Sequence, residues 1–212
     1  ARKNISDIED YGKAVSEINL ADNIEVVGLG EATHGNSDFQ DLKLEVLKTL
    51  VEKNNLKNFA IEADFGEGMI INNYIHGNKR DENISRIFSF NIYHTKNMNE
   101  LINYMFDYNQ KAKDEDKLSF YGFDMQNPEK SMESILDFCK ENNILQARDL
   151  QKEFSFLKDE KLKISEIKDK EALLLEIKAY ADALSSPNAK ILSRAITNVL
   201  DSIKYYELDF ND

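Results

Sequence analysis

Several residue types are rare or absent in the chain, and their scarcity excludes some classes of protein. Tryptophan is absent, and the 212 residues include one cysteine and two prolines. Because Cys139 has no second cysteine to pair with, no internal disulfide can form, and cysteine usage does not imply an oxidising compartment. We expect Cys139 to be a small buried apolar side chain rather than a nucleophile.

Long apolar runs are also missing. No stretch approaches the roughly eighteen residues of a membrane-spanning helix, and the amino terminus lacks the charged-then-apolar pattern of a targeting segment. These features predict a cytoplasmic chain without a membrane partner. The sequence begins at Ala1 rather than Met, so a removed targeting segment remains an alternative.

Basic residues are scarce. There are 27 Lys and Arg against 39 Asp and Glu, which gives a formal net charge of −12. A protein that binds nucleic acid needs a basic face to displace phosphate counterions, so nucleic acid is not expected as a partner. Hydrophobic residues make up 42% of the chain, which is enough to form a sizeable core.

Short apolar runs predict three strands, at residues 24–30, 58–64 and 118–124. Helical patterns lie between them, at 66–76, 81–89 and 97–113, and a further helix follows the first strand. Near-continuous apolarity is typical of parallel strands that are covered on both faces. The fold class predicted is therefore α/β, with a parallel sheet flanked by helices.

From Pro128 onward the pattern indicates helices alone. We predict an α/β domain over residues 1–128 and a helical region over 129–212 that continues beyond the chain given. Ser186 and Pro187 form a cap and first-turn pair at the start of the last helix. Charged residues at 158–170 are interpreted as a solvated connection or helix face.

Two local signals concern helix ends. Ser37 and Gln40 have the spacing of a capping box, which predicts that the helix after the first strand begins at Ser37 and ends near Asn54. His76 stands before Gly77 at a predicted helix end. We interpret His76 as a surface residue near a cap.

Acidic residues lie at the end of each predicted strand. Glu31 follows the first strand, Glu62 and Asp64 belong to the second, and Asp124 ends the third. Ligands of open parallel sheets bind at the carboxyl ends of the strands. The carboxylates therefore predict a site there, although any single one could instead cap a helix or loop.

His34 lies three residues after Glu31, in a glycine-containing turn at residues 28–35. A carboxylate that holds one imidazole nitrogen orients the ring and raises its basicity, so that the other nitrogen can accept a proton from water. Three interpretations remain open from the residues. His34 is a general base, a metal ligand together with Glu31 and Glu62, or a structural histidine.

Two other kinds of site are not indicated. The turn at 28–35 does not match a phosphate-binding loop or a dinucleotide fingerprint, and Glu31 would place negative charge where a phosphate should bind. The Gly-x-Ser-x-Gly elbow of α/β-hydrolases is absent as well.

A set of motifs resembles the erythromycin esterase family of bacteria. They are Gly-Glu-Ala-Thr-His-Gly at 30–35, Ala-Ile-Glu-Ala-Asp at 60–64, the block at 97–109 and Phe-Tyr-Gly-Phe-Asp-Met-Gln at 120–126. The resemblance covers most of residues 20–140. It implies hydrolysis of an ester or lactone by an activated water without a metal or other cofactor, with macrolide opening, an antibiotic-resistance activity, as the family's named example.

The resemblance also implies roles for individual residues. His34 corresponds to the general base, with Glu31 and Glu62 as its site carboxylates. Lys43 stands where many members have an active-site arginine, and it keeps the charge but loses the planar donor pair. Lys43, Asp64, His94 and Asp124 are the expected substrate-binding residues. The family's usual tryptophan is replaced in the region of Phe90, Tyr93 and His94, which predicts a different small-molecule substrate.

The family pattern continues, in its other members, with further histidine motifs that have no counterpart here. We therefore expect the 212 residues to correspond to an amino-terminal half, to have little or no activity alone and to self-associate through apolar surface. Two alternatives to the esterase remain. One is a metal-dependent hydrolase that uses Glu31, His34 and Glu62, and the other is a non-catalytic domain that binds a small molecule or a protein.

Overall fold

A computed structural model describes residues 15–17, 19–21, 23–34, 36–144, 150–153 and 164–208. Two strands, β1 (Asn58–Asp64) and β2 (Ser119–Asp124), form a small parallel sheet. The helices are α1 (Ser37–Asn54), α2 (Phe65–Ile75), α3 (Lys96–Asn109), α4 (Glu129–Glu141), α5 (Leu150–Glu153), α6 (Ile164–Lys168), α7 (Glu171–Asp182) and α8 (Pro187–Glu207). Short 3₁₀ helices lie at Ile84–Ile87, Asn91–Tyr93 and Asp114–Asp116.

The chain divides into two compact units, of which the first comprises Ala1–Phe59 and Ile71–Phe120. In this unit α1 packs on α3. The buried face of α3 follows helical spacing and consists of Met98, Leu101, Ile102, Met105 and Phe106. Phe88 and Phe120 add fully buried rings to the same unit, with their centroids 6.2 Å apart.

The second unit comprises Ala60–Ile70 and Tyr121–Asp212. Here α8 packs against α4, α6 and α7. The apolar stripe of α8 is buried, as its 3.6-residue period predicts, and includes Leu192, Ala195, Ile196, Val199 and Ile203. Cys139 lies in this core, 1% exposed, and burial raises the pKa of its thiol to about 11. The prediction that Cys139 is a buried apolar side chain is confirmed.

The units do not follow the predicted boundary near residue 128, and the two-domain division stays a prediction. Within the sequence predictions, β1 is confirmed at its predicted bounds and β2 begins one residue later than predicted. The cap at Ser186 is also confirmed, since its Oγ accepts from the backbone N–H of Ala189 at 3.1 Å. Residues 158–163 of the predicted charged connection lie outside the described residues.

The first predicted strand is wrong. Residues 24–30 have no regular secondary structure in the described chain, and Ile24, Val26 and Leu29 are exposed, Val26 by 85%. A strand is stabilised by a neighbouring ladder, and the described sheet consists of β1 and β2. Residues 24–30 therefore have the local propensity of a strand but no neighbouring strand to pair with in the described structure.

The expectation that the sheet is covered on both faces is wrong as well for the described residues. Burial alternates along β2, where Phe120, Gly122 and Asp124 are buried while Tyr121 and Phe123 are exposed by 45% and 67%. The same unit leaves Ala60 and Glu62 of β1 exposed. One face of each strand is thus open in the described structure, and self-association through it stays a prediction.

Two local predictions need correction. Asn36, not Ser37, caps α1, because its Oδ1 accepts from the N–H of Asp38 at 2.8 Å and Ser37 is already helical. Asn and Ser are equally good caps, and the pattern could not choose between neighbours. The helix predicted at 81–89 is reduced to the 3₁₀ turn Ile84–Ile87. Among the described residues, no helix is both long and apolar enough to cross a bilayer.

Candidate functional site

Glu31 and His34 lie on the irregular turn that precedes α1, in the first unit. The carboxylate Oε1 of Glu31 is 4.0 Å from Nδ1 of His34, and the His34 side chain is 63% exposed. The distance is too long for a hydrogen bond, yet it places a carboxylate beside one imidazole nitrogen and leaves the other accessible. The roles of Glu31 and His34 as site carboxylate and general base stay predictions.

Lys43, from the second turn of α1, holds the other oxygen of the same carboxylate. Its Nζ donates to Glu31 Oε2 at 2.7 Å, and both side chains are about nine-tenths buried. Oε1 of Glu31 is buried and has no hydrogen-bond partner among the described residues. Among the described residues, Lys43 is thus the ion-pair partner of this carboxylate, and the His34 ring lies beside it. The ammonium of Lys43 is engaged by Glu31, so its predicted contact with substrate stays a prediction.

Glu62 lies on an exposed position of β1, in the second unit. Its predicted role beside His34 stays a prediction. No group of three or more His, Cys, Asp or Glu side chains that could hold a metal ion occurs within the described ranges. The alternative that Glu31, His34 and Glu62 form a metal shell stays a prediction.

Asp64, at the carboxyl end of β1, is buried in the second unit with 2% exposure. Its Oδ1 accepts from the N–H of Gly66 at 2.9 Å and contacts Ser131 Oγ of α4 at 3.0 Å. Ser131 Oγ is in turn 3.1 Å from Oδ1 of Asn198 on α8, and Asn198 Nδ2 donates to the backbone carbonyl of Asp124 at 2.7 Å. The network joins the ends of both strands to two helices of the same unit.

The number of donors in this network favours a protonated Asp64. Since Asn198 uses Nδ2 on the Asp124 carbonyl, its Oδ1 faces Ser131 and must accept. Ser131 has one hydroxyl proton, which cannot serve both Asn198 and Asp64. Both contacts are hydrogen bonds together only when Asp64 carries a proton and donates it to Ser131, for which Oδ2 at 3.2 Å is the suitable atom.

Electrostatics favour the same state. Burial raises the pKa of Asp64 to about 7; hydrogen bonds that Ser131 and Gly66 would donate to the ionised carboxylate oppose the increase, and the nearby charge of Glu67 adds to it. Glu67 is itself 1% exposed. A carboxyl group of this kind is neutral in part of the population at physiological pH.

Asp124 ends β2 with 8% exposure. Its Oδ1 accepts a long bond from Gln126 Nε2 at 3.4 Å, and Oδ2 has no partner among the residues that the structure describes. Substrate contact by Asp64 or Asp124 stays a prediction, but both are integrated into the strand ends. Ser131 and Asn198 were missed from the sequence. Asn198 could have been noticed in the sequence, because it is a polar residue between Ala195 and Val199 of the apolar stripe of α8.

The remaining histidines occupy separate places in the first unit. His94 Nε2 lies 2.7 Å from the carbonyl oxygen of Phe88, and the ring lines a polar cavity that Glu31, His34 and Lys43 do not line. His76 is exposed, and its Nδ1 lies 2.8 Å from the carbonyl oxygen of Asn72 at the end of α2. The interpretation of His76 as a surface residue near a helix end is confirmed.

Comparison with known proteins identifies the family. The family model for erythromycin esterase matches residues 51–201, and the chain belongs to the erythromycin esterase family. Erythromycin esterase type II of Escherichia coli is 36% identical over 100 residues, which are 47% of this chain and 23% of that protein. At the level of the family, this supports an esterase-like hydrolase.

Solved structures share the fold. A succinoglycan biosynthesis protein superposes with a TM-score of 0.67 at 24% identity, over 95% of this chain and 51% of that one. An erythromycin esterase mutant in its open conformation superposes with a TM-score of 0.52 at 13% identity, over 81% of this chain and 46% of that one. The chain thus spans about a quarter of the curated relative and about half of these structures.

Proposed function

We propose that this chain contributes the general base of a hydrolase that cleaves a carboxylic ester or lactone. The observation that carries the proposal is the Lys43–Glu31–His34 arrangement, in which one carboxylate is bonded to a buried ammonium and lies beside an exposed imidazole. Membership of the erythromycin esterase family supports the reaction class.

In the proposed mechanism, Glu31 orients His34 from the Nδ1 side, and Nε2 accepts a proton from water. The water oxygen bonds to the ester carbonyl carbon, and the resulting tetrahedral intermediate expels the alkoxide, which receives the proton from the imidazolium. The products are a carboxylic acid and an alcohol. Lys43 fixes the Glu31 carboxylate, and Glu62 is proposed, from the family resemblance, as the second carboxylate of the site.

Replacing His34 with Gln is expected to lower kcat/KM for a p-nitrophenyl ester by about a hundredfold or more, since general-base catalysis contributes at least that much. The measurement uses the polypeptide at the length made by its source cell. In the unaltered protein the rate should rise with pH, because only a neutral imidazole can accept a proton from water, and His34→Gln should abolish this rise.

His76→Gln is the matched control, because it removes an exposed histidine that is bonded near a helix end. It should leave both the rate and the pH profile unchanged. Lys43→Arg should retain more activity than Lys43→Met, since arginine keeps a positive charge beside the Glu31 carboxylate. Absence of ester hydrolysis by the native-length protein would overturn the proposal and favour a non-catalytic binding domain, as would equal losses in His34→Gln and His76→Gln.

A further inference from the structure

A second cavity, of about 310 Å³, lies in the first unit between the 3₁₀ turn Ile84–Ile87 and the start of α3. Its lining is mostly polar and includes the cations Arg80, Arg86 and Lys96, the carboxylates Glu82 and Glu100, and the side chains of Ser85 and His94. The volume is at the lower end of the range for small-molecule sites. Such a cavity has room for one sugar-sized ligand.

Some of the cations that line the cavity form ion pairs, and one does not. Arg80 donates to Glu82 and Asp107 at 2.6 Å, and Lys96 forms an ion pair with Glu100 at 3.1 Å. The guanidinium of Arg86, in contrast, makes no side-chain hydrogen bond or ion pair with any residue in the described part of the chain. Arg86 is exposed, so its guanidinium is open to a ligand that enters the cavity from solvent.

The wall of the cavity also contains an unused hydroxyl. Ser85 is 0% exposed, its backbone N–H donates to Asn99 Oδ1 at 2.8 Å, and its Oγ has no hydrogen-bond partner among the described residues. A hydroxyl that is buried without a partner is unfavourable, and a hydrogen bond to a ligand in the cavity would remove that penalty.

Neighbouring polar groups are already occupied and would hold the site rigid. Asn99 accepts from Ser85 and donates through Nδ2 to the Thr95 carbonyl at 3.0 Å, and Asn103 Nδ2 donates to the Asp81 carbonyl at 3.2 Å. His94 uses Nε2 on the Phe88 carbonyl, which leaves Nδ1 for another partner. The lining groups that a ligand could engage therefore include Arg86, the Ser85 hydroxyl and Nδ1 of His94.

We propose that this cavity binds a small polyhydroxylated anion, such as a sugar phosphate or sugar acid, with its anionic group on Arg86 and a hydroxyl on Ser85. Arg86 supplies the planar donor pair that suits phosphate and carboxylate oxygens. This binding site is separate from the ester-cleaving residues, and its test does not depend on hydrolysis.

The test is calorimetric titration of the native-length protein with glucose 6-phosphate, gluconate and glucose. We expect saturable binding of one or both charged sugars at millimolar concentrations or below and no binding of glucose. Arg86→Gln and Ser85→Ala should each weaken the binding about tenfold or more, because each removes a hydrogen bond to the ligand. Binding should also shift the backbone amide resonances of Ser85 and Asn99.

Arg194→Gln is the control, since it neutralises an exposed arginine of the other unit. It should bind as the unaltered protein does. Absence of binding by both charged sugars, equal binding of glucose, or an affinity that Arg86→Gln leaves unchanged would overturn the proposal. An effect of Arg86→Gln without an effect of Ser85→Ala would overturn the assigned contact with the ligand hydroxyl.

Discussion

Between pH 4.5 and pH 8, the free energy of unfolding of the unaltered protein is expected to fall by about 3 kcal/mol through Asp64, and Asp64→Asn should abolish this decrease. In the unfolded chain Asp64 has an ordinary pKa of 3.8, whereas burial raises it to about 7 in the folded protein. Below 3.8 the group is protonated in both states. As the pH rises, the unfolded chain ionises first, so the stabilising contribution of the folded, protonated form is lost as the pH rises through about 7.

Asn is a close structural substitute for the protonated acid. Its amide can donate to Ser131 while its carbonyl accepts from the N–H of Gly66, which reproduces the contacts of the neutral carboxyl group with these two residues. Asp64→Asn should therefore be at least as stable as the unaltered protein at pH 8, where an ionised Asp64 leaves Ser131 unable to serve both Asp64 and Asn198.

The measurement is urea unfolding of both proteins across this pH range, with the difference between them as the readout. Asp182→Asn is the control, because hydrogen bonds from Lys178 and Ser193 lower the pKa of this exposed aspartate. Its stability profile should run parallel to that of the unaltered protein between pH 6 and 8. Parallel profiles for Asp64→Asn would mean that Asp64 is ionised in the folded state and that the donor count is wrong.

The fold was predictable where a local pattern is sufficient. Strand β1 and helix α8 agree with prediction because a bounded apolar run and a cap at Ser186 followed by a 3.6-residue stripe are local signals. Residues 24–30 have an equally strong pattern but do not form a strand in the described structure. Strand formation depends on pairing partners elsewhere in the chain, which the pattern does not contain.

The candidate site was predictable to a similar extent. Glu31 and His34 are three residues apart, and their proximity follows from spacing. The contact of Lys43 with Glu31 joins positions twelve apart through the docking of α1, and only the family resemblance indicated a role for it. The network of Asp64, Ser131 and Asn198 joins residues 67 positions apart at each step, which the sequence could not reveal.

The largest effect on folding is expected from Gly68→Ala. A Cβ at this position of α2 would lie 2.0 Å from the backbone nitrogen of Gly122 in β2, within the second unit. Gly122 is itself close to β1, since a Cβ there would lie 2.2 Å from the carbonyl oxygen of Asp64. The new methyl group would meet backbone atoms, so no side chain can rotate to relieve the overlap. The helix and the strand would have to separate.

We expect Gly68→Ala to lower the free energy of unfolding by about 3 kcal/mol or more, or to prevent folding. The higher helix propensity of alanine offsets at most about 1 kcal/mol of this loss. Two further variants make the result interpretable if Gly68→Ala does not fold. Gly77→Ala meets the Tyr74 carbonyl oxygen at 3.2 Å, and Gly28→Ala meets no atom within 4 Å.

Urea unfolding should therefore rank the variants, with Gly28→Ala within about 0.5 kcal/mol of the unaltered protein, Gly77→Ala intermediate and Gly68→Ala the least stable. This order follows from the contact each new methyl group makes. A Gly68→Ala protein as stable as Gly28→Ala would show that α2 does not approach β2 this closely. The hydrogen bond from Gly66 to Asp64 would then be in doubt as well, because Gly66 and Gly68 both lie in the first turn of α2.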